Sequence, residues 1–289
     1  MFVQIRFYFT LLGILCASSI YNAYDYTGTY VTGIISSSIS LLYLIFFVKD
    51  ARPSLSTNKS NKLNKSSIIK RYFIVPVKDF IKTISKKRPG NLQSLIWLQY
   101  LSFAMFWFSL NMTGGQEVVY LYLLTTFEGF NEEKFSYIRA FQMGMSTLSF
   151  FLIIPLMSNH FKFHDLTIQM ICCVTEALSN FLLPLVYQEW QVYVINIIGI
   201  MFVCKWSLAR SILSKSVQSD ELGKALSGLA IVSAAMPFVT APAIRELYKQ
   251  TVDIFPGCFA LLCGTAMLLA FEINGILYHK RDKITVEAK

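Results

Sequence analysis

The stretch that decides the fold is IFPGCFALLCGTAMLLAFEINGILY, residues Ile254 to Tyr278, where Glu272 is the one charged side chain in 25 positions. An α-helix rises about 1.5 Å per residue, so about 20 apolar residues cross the roughly 30 Å hydrocarbon layer of a bilayer. A run this long and this apolar predicts a membrane-spanning helix.

Seven other stretches share this character. The eight predicted spans are Phe7–Tyr24, Tyr30–Val48, Ser94–Thr126, Ser136–Met157, Leu166–Tyr187, Trp190–Leu208, Leu222–Ala243 and Ile254–Tyr278. Of the 289 residues, 54% are hydrophobic and 15% are charged, with a mean hydropathy of +0.50, whereas soluble domains carry about 25% charged residues. The sequence therefore predicts an all-α polytopic membrane protein with eight transmembrane helices, excludes a soluble enzyme, and makes the lipid bilayer a partner.

The net charge of +9 is concentrated in one loop. Between Lys49 and Arg88, twelve Lys or Arg residues stand against two Asp residues, which gives a local net charge of +10 and leaves −1 for the remainder. Lys and Arg are enriched in cytoplasmic loops of membrane proteins. This loop is therefore predicted to be cytoplasmic, which places both termini in the cytoplasm, and such a distribution does not indicate a nucleic-acid partner.

The spans and the loop divide the chain unevenly. The predicted parts are a transmembrane hairpin (1–48) that ends an N-terminal half, a basic cytoplasmic linker (49–93), a six-helix C-terminal half (94–278) and a cytoplasmic tail (279–289). Transporters of the major facilitator superfamily consist of two six-helix halves joined by a long cytoplasmic loop. The pattern predicts a partial major facilitator fold, with two helices of the first half and all of the second.

Ionisable residues inside the predicted spans are the strongest functional signal, because a charge in mid-bilayer costs at least about 2.5 to 3.5 kcal/mol. They are Glu117, Arg139, Glu176, Lys205 and Glu272. Each is either part of a substrate or proton pathway or one side of a structural ion pair, and Glu176 or Glu272 is the candidate partner of Lys205. Arg210 lies five residues after Lys205, about 7.5 Å nearer the cytoplasmic mouth of its span.

The third predicted span is too long for a single crossing. Ser94–Thr126 contains 33 residues, and Gly114 and Gly115 immediately precede the polar residues Gln116 and Glu117. These residues predict a helix break, which lipid tolerates only where the backbone lines a cavity or packs on protein. The alternative is a glycine pair that permits close helix packing.

One pattern is typical of a different class of protein. His160 and Asp165 have the spacing of a His–Asp pair in glycerolipid acyltransferases, where the carboxylate orients a histidine base. No metal-ligand cluster, P-loop or dinucleotide-binding motif accompanies the pair in the sequence, so no cofactor or metal is expected.

Three segments resemble one transporter family: LARSILSKSVQSDELGKALSGLAIV (Leu208–Val232), TGGQEVVYLYLLTTF (Thr113–Phe127) and YTGTYVTGIISSSISLLYLIFFVKD (Tyr26–Asp50). They are similar to the proton-coupled folate transporter family, solute carrier family 46, without its first four helices. The resemblance implies alternating-access transport of a small organic anion, folate-like or related, with protons as the candidate coupling ion. It also implies that Arg210 matches a basic residue used in substrate transport and that Glu117 matches an acidic position.

From the sequence we therefore expect a non-enzymatic membrane transporter, as a fragment or short isoform, in the plasma or endolysosomal membrane. Its expected substrate-binding or gating residues are Arg210, Lys205, Glu117 and Gln116, with a helix break at Gly114 and Gly115. Lys205 and Arg210 would offset substrate charge, and Glu117 would carry a proton or orient substrate. The alternative from another class is a non-transporting membrane-embedded accessory protein.

Overall fold

The structure is a computed structural model, and it describes Gly13, Ile20 and residues 23–25, 27–43, 92–110, 114–217 and 221–287. The predicted first span and the basic linker up to residue 91 lie outside these residues, apart from a few positions near the end of that span. The described residues form helices, with no β-strand among them.

The structure describes these helices in chain order. They are α1 (27–43), α2 (Leu92–Met105), α3 (Gly115–Thr126), α4 (Glu132–Leu148), α5 (Asp165–Leu182), α6 (Glu189–Ile198), α7 (Cys204–Ser216), α8 (Leu222–Thr251) and α9 (Cys258–Glu287). Two π-helical segments around Pro155, Ser149–Ile153 and Leu156–His160, extend α4. A 3₁₀ turn, Leu183–Leu185, extends α5.

Local sequence explains several helix starts. The side chain of Asn131 accepts a hydrogen bond of 2.9 Å from the Lys134 backbone N–H and caps α4. Gln188 and Gln191 form a reciprocal capping box at α6. Such caps satisfy N–H groups that have no partner within the first helical turn.

The centre of the bundle is α5, which packs most extensively against α9 and also against α7 and α6. Gln169, Cys173, Glu176 and Asn180 form a stripe on α5 with at most 2% of each residue exposed. Their spacing of three and four residues places them on one helix face. The polar face of α5 therefore points into the bundle.

The outer surface is apolar. Phe238 on α8 is 82% exposed and Ile254, in the turn that follows α8, is 87% exposed. Side chains of this kind on a continuous outer surface suit lipid rather than water. Four helices of the described chain are long and apolar enough to cross a membrane: Glu132–His160, Asp165–Leu185, Leu222–Thr251 and Cys258–Lys280.

Two of the eight predicted spans are not continuous helices. The stretch Ser94–Thr126 is divided between α2 and α3, and Trp190–Leu208 is divided between α6 and α7 by a turn at residues 199–203. A side-chain carbon on Gly199 would lie 2.9 Å from Ser179 Oγ, so α6 ends where it approaches α5 closely. The described structure is that of an all-helical polytopic membrane protein.

Candidate functional site

The region between α2 and α3 is where the chain leaves the helical path. A 3₁₀ turn at Phe106–Phe108 follows α2, and Ser109 is extended. Gly114, at φ +89°, precedes α3, and a Cβ there would lie 2.5 Å from the Ala241 Cα on α8. Only glycine fits this left-handed conformation against a neighbouring backbone. The glycine pair therefore combines both predicted alternatives: the helix breaks here, and Gly114 packs closely against α8.

A buried ion pair lies beside this break. Lys205 Nζ on α7 donates to Glu176 Oε2 on α5, and both side chains are 0% exposed. Ser109 Oγ donates to the other carboxylate oxygen of Glu176. The extended conformation of Ser109 thus places its hydroxyl group against the Glu176 carboxylate. In an unbroken helix this hydroxyl group would lie elsewhere.

The remaining neighbours of the Lys205 ammonium group are weakly polar. Nζ lies 3.4 Å from Met267 Sδ and 5.2 Å and 6.0 Å from the ring centroids of Phe106 and Trp206. Cation–π attraction and the carboxylate together compensate the charge. Of the two candidate partners, Glu176 contacts Lys205, whereas Glu272 is exposed on α9. In this conformation the Lys205 charge is already neutralised by protein.

Arg210 differs from Lys205 although both lie on α7. Its side chain is exposed, and among the described residues it forms no ion pair. Five residues correspond to about 500° of helix rotation, so the two cations face different directions. The structure therefore does not bring Arg210 and Lys205 to one point.

Glu117 is located in the first turn of α3 and pairs with Arg245 on α8. Both side chains are more than half exposed. The predicted topology places Arg245 on the non-cytoplasmic side, where Lys and Arg are less frequent. Its pairing with Glu117 compensates its charge there. Gln116, one residue earlier, lines a cavity of about 50 Å³ between α3, α4, α5 and α6. Glu117 and Gln116 are therefore adjacent in sequence but lie in different surroundings: Glu117 pairs with Arg245, and Gln116 lines the cavity.

The His160–Asp165 pair is not formed. Asp165 accepts a hydrogen bond of 2.8 Å from Ser211 Oγ and pairs with Lys215. The His160 ring instead contacts Phe161 edge-on, with ring centroids 5.2 Å apart. Asp165 thus links α5 to α7, and the geometry offers no oriented histidine base.

An apolar exterior around a buried ion pair at a helix break is typical of a polytopic membrane protein. No protein-family model matches the chain. The chain is 26% identical over 232 residues to the mouse "Lysosomal proton-coupled steroid conjugate and bile acid symporter SLC46A3". The matched region is 80% of this chain and 48% of that protein. The chain is 22% identical over 111 residues, 38% of this chain, to the Drosophila melanogaster "Probable peptidoglycan muropeptide transporter SLC46", of which this is 21%.

Both relatives are solute carrier family 46 transporters and neither is an enzyme, which confirms the resemblance drawn from the sequence. The chain is an SLC46-like membrane protein. The matched region spans about half of the mouse relative and about a fifth of the Drosophila relative.

Sequence reasoning gave no role to Asn180 and did not single out Arg139 among the charges within the spans. Both residues line the cavity that Gln116 lines. A signal was present, since Asn180 follows Glu176 by one helical turn within a predicted span.

Proposed function

We propose that this chain carries a small organic anion across a membrane by alternating access, together with the N-terminal helices of a complete transporter. The observation that carries this proposal is the Lys205–Glu176 pair, which is fully buried beside a broken helix. Ionisable groups inside membrane helices are costly and mark substrate or proton pathways. Discontinuous helices typically form the substrate-binding sites of transporters.

The proposed architecture has eight spans. Residues 1–48 form a transmembrane hairpin, residues 49–93 a cytoplasmic linker, residues 94–278 a six-helix half and residues 279–289 a cytoplasmic tail. Helices α2 to α9 would form the C-terminal half, with both termini in the cytoplasm. The mouse relative is named as a lysosomal protein, which supports an endolysosomal location; the plasma membrane is the other candidate.

Proton coupling has a simple basis in the buried pair. A proton on Glu176 would neutralise the carboxylate and release Lys205 to a substrate anion, so one proton would accompany one negative charge. Arg210, exposed in the middle of α7, would attract the anion as it enters from the cytoplasmic side. Glu117 would orient substrate or carry a proton only after separating from Arg245.

The function is tested by uptake of radiolabelled taurocholate, an anionic bile acid conjugate, into proteoliposomes. The 289-residue chain alone should not transport, because substrate sites lie between two repeats. Joined with the first half of the mouse relative, and after co-purification shows assembly, it should take up taurocholate. Robust uptake by the chain alone would overturn the half-transporter architecture, and an assembled but inactive pair would favour an accessory protein.

Arg210→Gln provides the residue-level test, with Lys215→Gln, which removes another exposed cation of α7, as the matched control. Removing Arg210 should lower uptake several-fold without loss of folded protein, because its side chain forms no ion pair in the described structure. Equal uptake by both variants would remove Arg210 from the proposed pathway.

Topology is tested separately by single cysteines in a cysteine-free background. In intact cells that display the chain at the plasma membrane, Glu132→Cys should react with an impermeant maleimide, and Lys215→Cys should react only after permeabilisation. The reverse pattern would invert the proposed orientation.

A further inference from the structure

A small cavity with both polar and apolar lining residues lies inside the bundle, one helical turn of α5 from Glu176. It has a volume of about 50 Å³, is lined by residues of α3, α4, α5 and α6, and is partly open. Its polar lining residues are Gln116, Arg139, Gln142, Ser179, Asn180 and Asn196. One water needs roughly 10 to 15 Å³ of such space, so the cavity holds a few waters or one small chemical group.

Arg139 supplies the charge of this cavity. It follows the start of α4 by seven residues, about 10 Å along the helix axis. Its guanidinium donates to Gln142 Oε1, and no carboxylate among the described residues forms an ion pair with it. A guanidinium carries five donors in a planar fork, so most of its hydrogen-bonding capacity stays open.

Asn180 on α5 points to a ligand independently of Arg139. Asn180 is 2% exposed, and its Nδ2 has no hydrogen-bond acceptor within the described part of the chain. A buried donor without an acceptor costs about as much as a lost hydrogen bond, so such groups are ordinarily satisfied by a partner. Amide and guanidinium donors therefore line one small space that offers them no carboxylate.

We propose that this cavity binds the carboxylate or sulfate group of an organic anion, with Arg139 and Asn180 donating to its oxygens. The proposal rests on the proposed transport function and adds to it a recognition site for the anionic end of the substrate. Lys205 is neutralised by Glu176, whereas Arg139 has no carboxylate partner among the described residues. An oxyanion supplies both the missing negative charge and the missing acceptors. The volume fits this group and leaves the rest of the substrate outside.

The test is ligand binding to the purified 289-residue chain in detergent, measured by thermal unfolding and calorimetry. Benzoate is the probe, benzamide is its neutral analogue of the same shape, and inorganic sulfate shows whether a free ion suffices. At about ten times its Kd, benzoate should raise the Tm by a few degrees. Benzamide should leave the Tm unchanged. Stronger binding of sulfate than of benzoate would assign the cavity to an inorganic anion.

Two substitutions locate the binding. Arg139→Gln should weaken benzoate binding about tenfold or more, whereas Lys134→Gln, which removes an exposed cation from the same helix, should leave binding unchanged. Asn180→Asp, nearly isosteric, places a carboxylate in the cavity; it should abolish benzoate binding and raise the Tm of the free chain. It carries the test if Arg139→Gln fails to fold.

Benzoate binding that persists in both variants, or that Lys134→Gln removes equally, would overturn the proposal. Because the readout is binding and not uptake, the two hypotheses separate. Uptake in a complete transporter without benzoate binding here would reject this site alone, and binding here without uptake would reject transport alone.

Discussion

Replacing Lys205 by methionine removes one half of a buried ion pair while keeping an unbranched side chain of similar length. Glu176 would then keep its hydrogen bond from Ser109 but lose its counter-charge at a site that is 0% exposed. Removing one partner of such a pair costs about 3 to 5 kcal/mol, because the remaining charge is buried and uncompensated. At about 2 to 4 °C per kcal/mol, the Tm of the Lys205→Met chain should fall by roughly 6 to 20 °C.

The double substitution Lys205→Met with Glu176→Gln removes both charges, and the amide still accepts from the Ser109 hydroxyl. Neutral replacements of a buried pair are often neutral or stabilising. The double variant should therefore recover to within about 1 kcal/mol of the unsubstituted chain, and the cycle should give a coupling free energy of several kcal/mol. Lys215→Met is the matched control, since this lysine is 59% exposed in its pair with Asp165 and should cost at most about 1 kcal/mol.

Thermal unfolding in one detergent is measured for five proteins: the unsubstituted chain, Lys205→Met, Glu176→Gln, the double variant and the control Lys215→Met. The fraction of monodisperse protein after extraction measures folding in the membrane. If Lys205→Met unfolds at the same temperature as the unsubstituted chain, the charge is not sealed as described. In a complete transporter the same variant reports function: lost abundance indicates a structural pair, and lost substrate affinity at normal abundance indicates a counter-charge for the substrate.

Two more predictions use the same unfolding assay. Gly114→Ala should cost at least about 1 to 3 kcal/mol, since it combines a positive φ with a clash against the α8 backbone, whereas Gly144→Ala, with open space around it, should be neutral or slightly stabilising; equal effects would contradict the close approach. Glu117→Gln should change stability by no more than about 1 kcal/mol because the pair with Arg245 is exposed, and a larger loss would show that lipid, not water, surrounds that pair.

The sequence predicted one interruption of the helices and missed the other, for a physical reason. Excess length and the glycines at Gly114 and Gly115 predict the first, and the helices α2 and α3 are separate there. Trp190–Leu208 has the length of a single span, and Gly199 is its one weak point. The turn there follows from the close approach of Gly199 to Ser179, a contact between different helices that no local pattern contains.

The partner of Lys205 could not be chosen from the sequence because burial depends on the rotation of each helix about its axis. Glu272 and Asn274 on α9 are two residues apart, which separates their directions by about 200°. Asn274 is fully buried and accepts a hydrogen bond from Ser102, so Glu272 points outward. On α5, Gln169, Glu176 and Asn180 lie on one helix face, and that face is the buried one.

The same rotation explains why the intramembrane cations of this chain differ in chemistry. Lys205 faces the polar stripe of α5 and meets Glu176 there. Arg139 faces the same helix one turn further along, where the residue is Asn180 rather than a carboxylate. Glu176 thus neutralises Lys205, whereas no carboxylate of the described residues pairs with Arg139. Asn180→Asp places a carboxylate beside Arg139, as Glu176 lies beside Lys205. For this reason it most directly tests whether the cavity binds an anion.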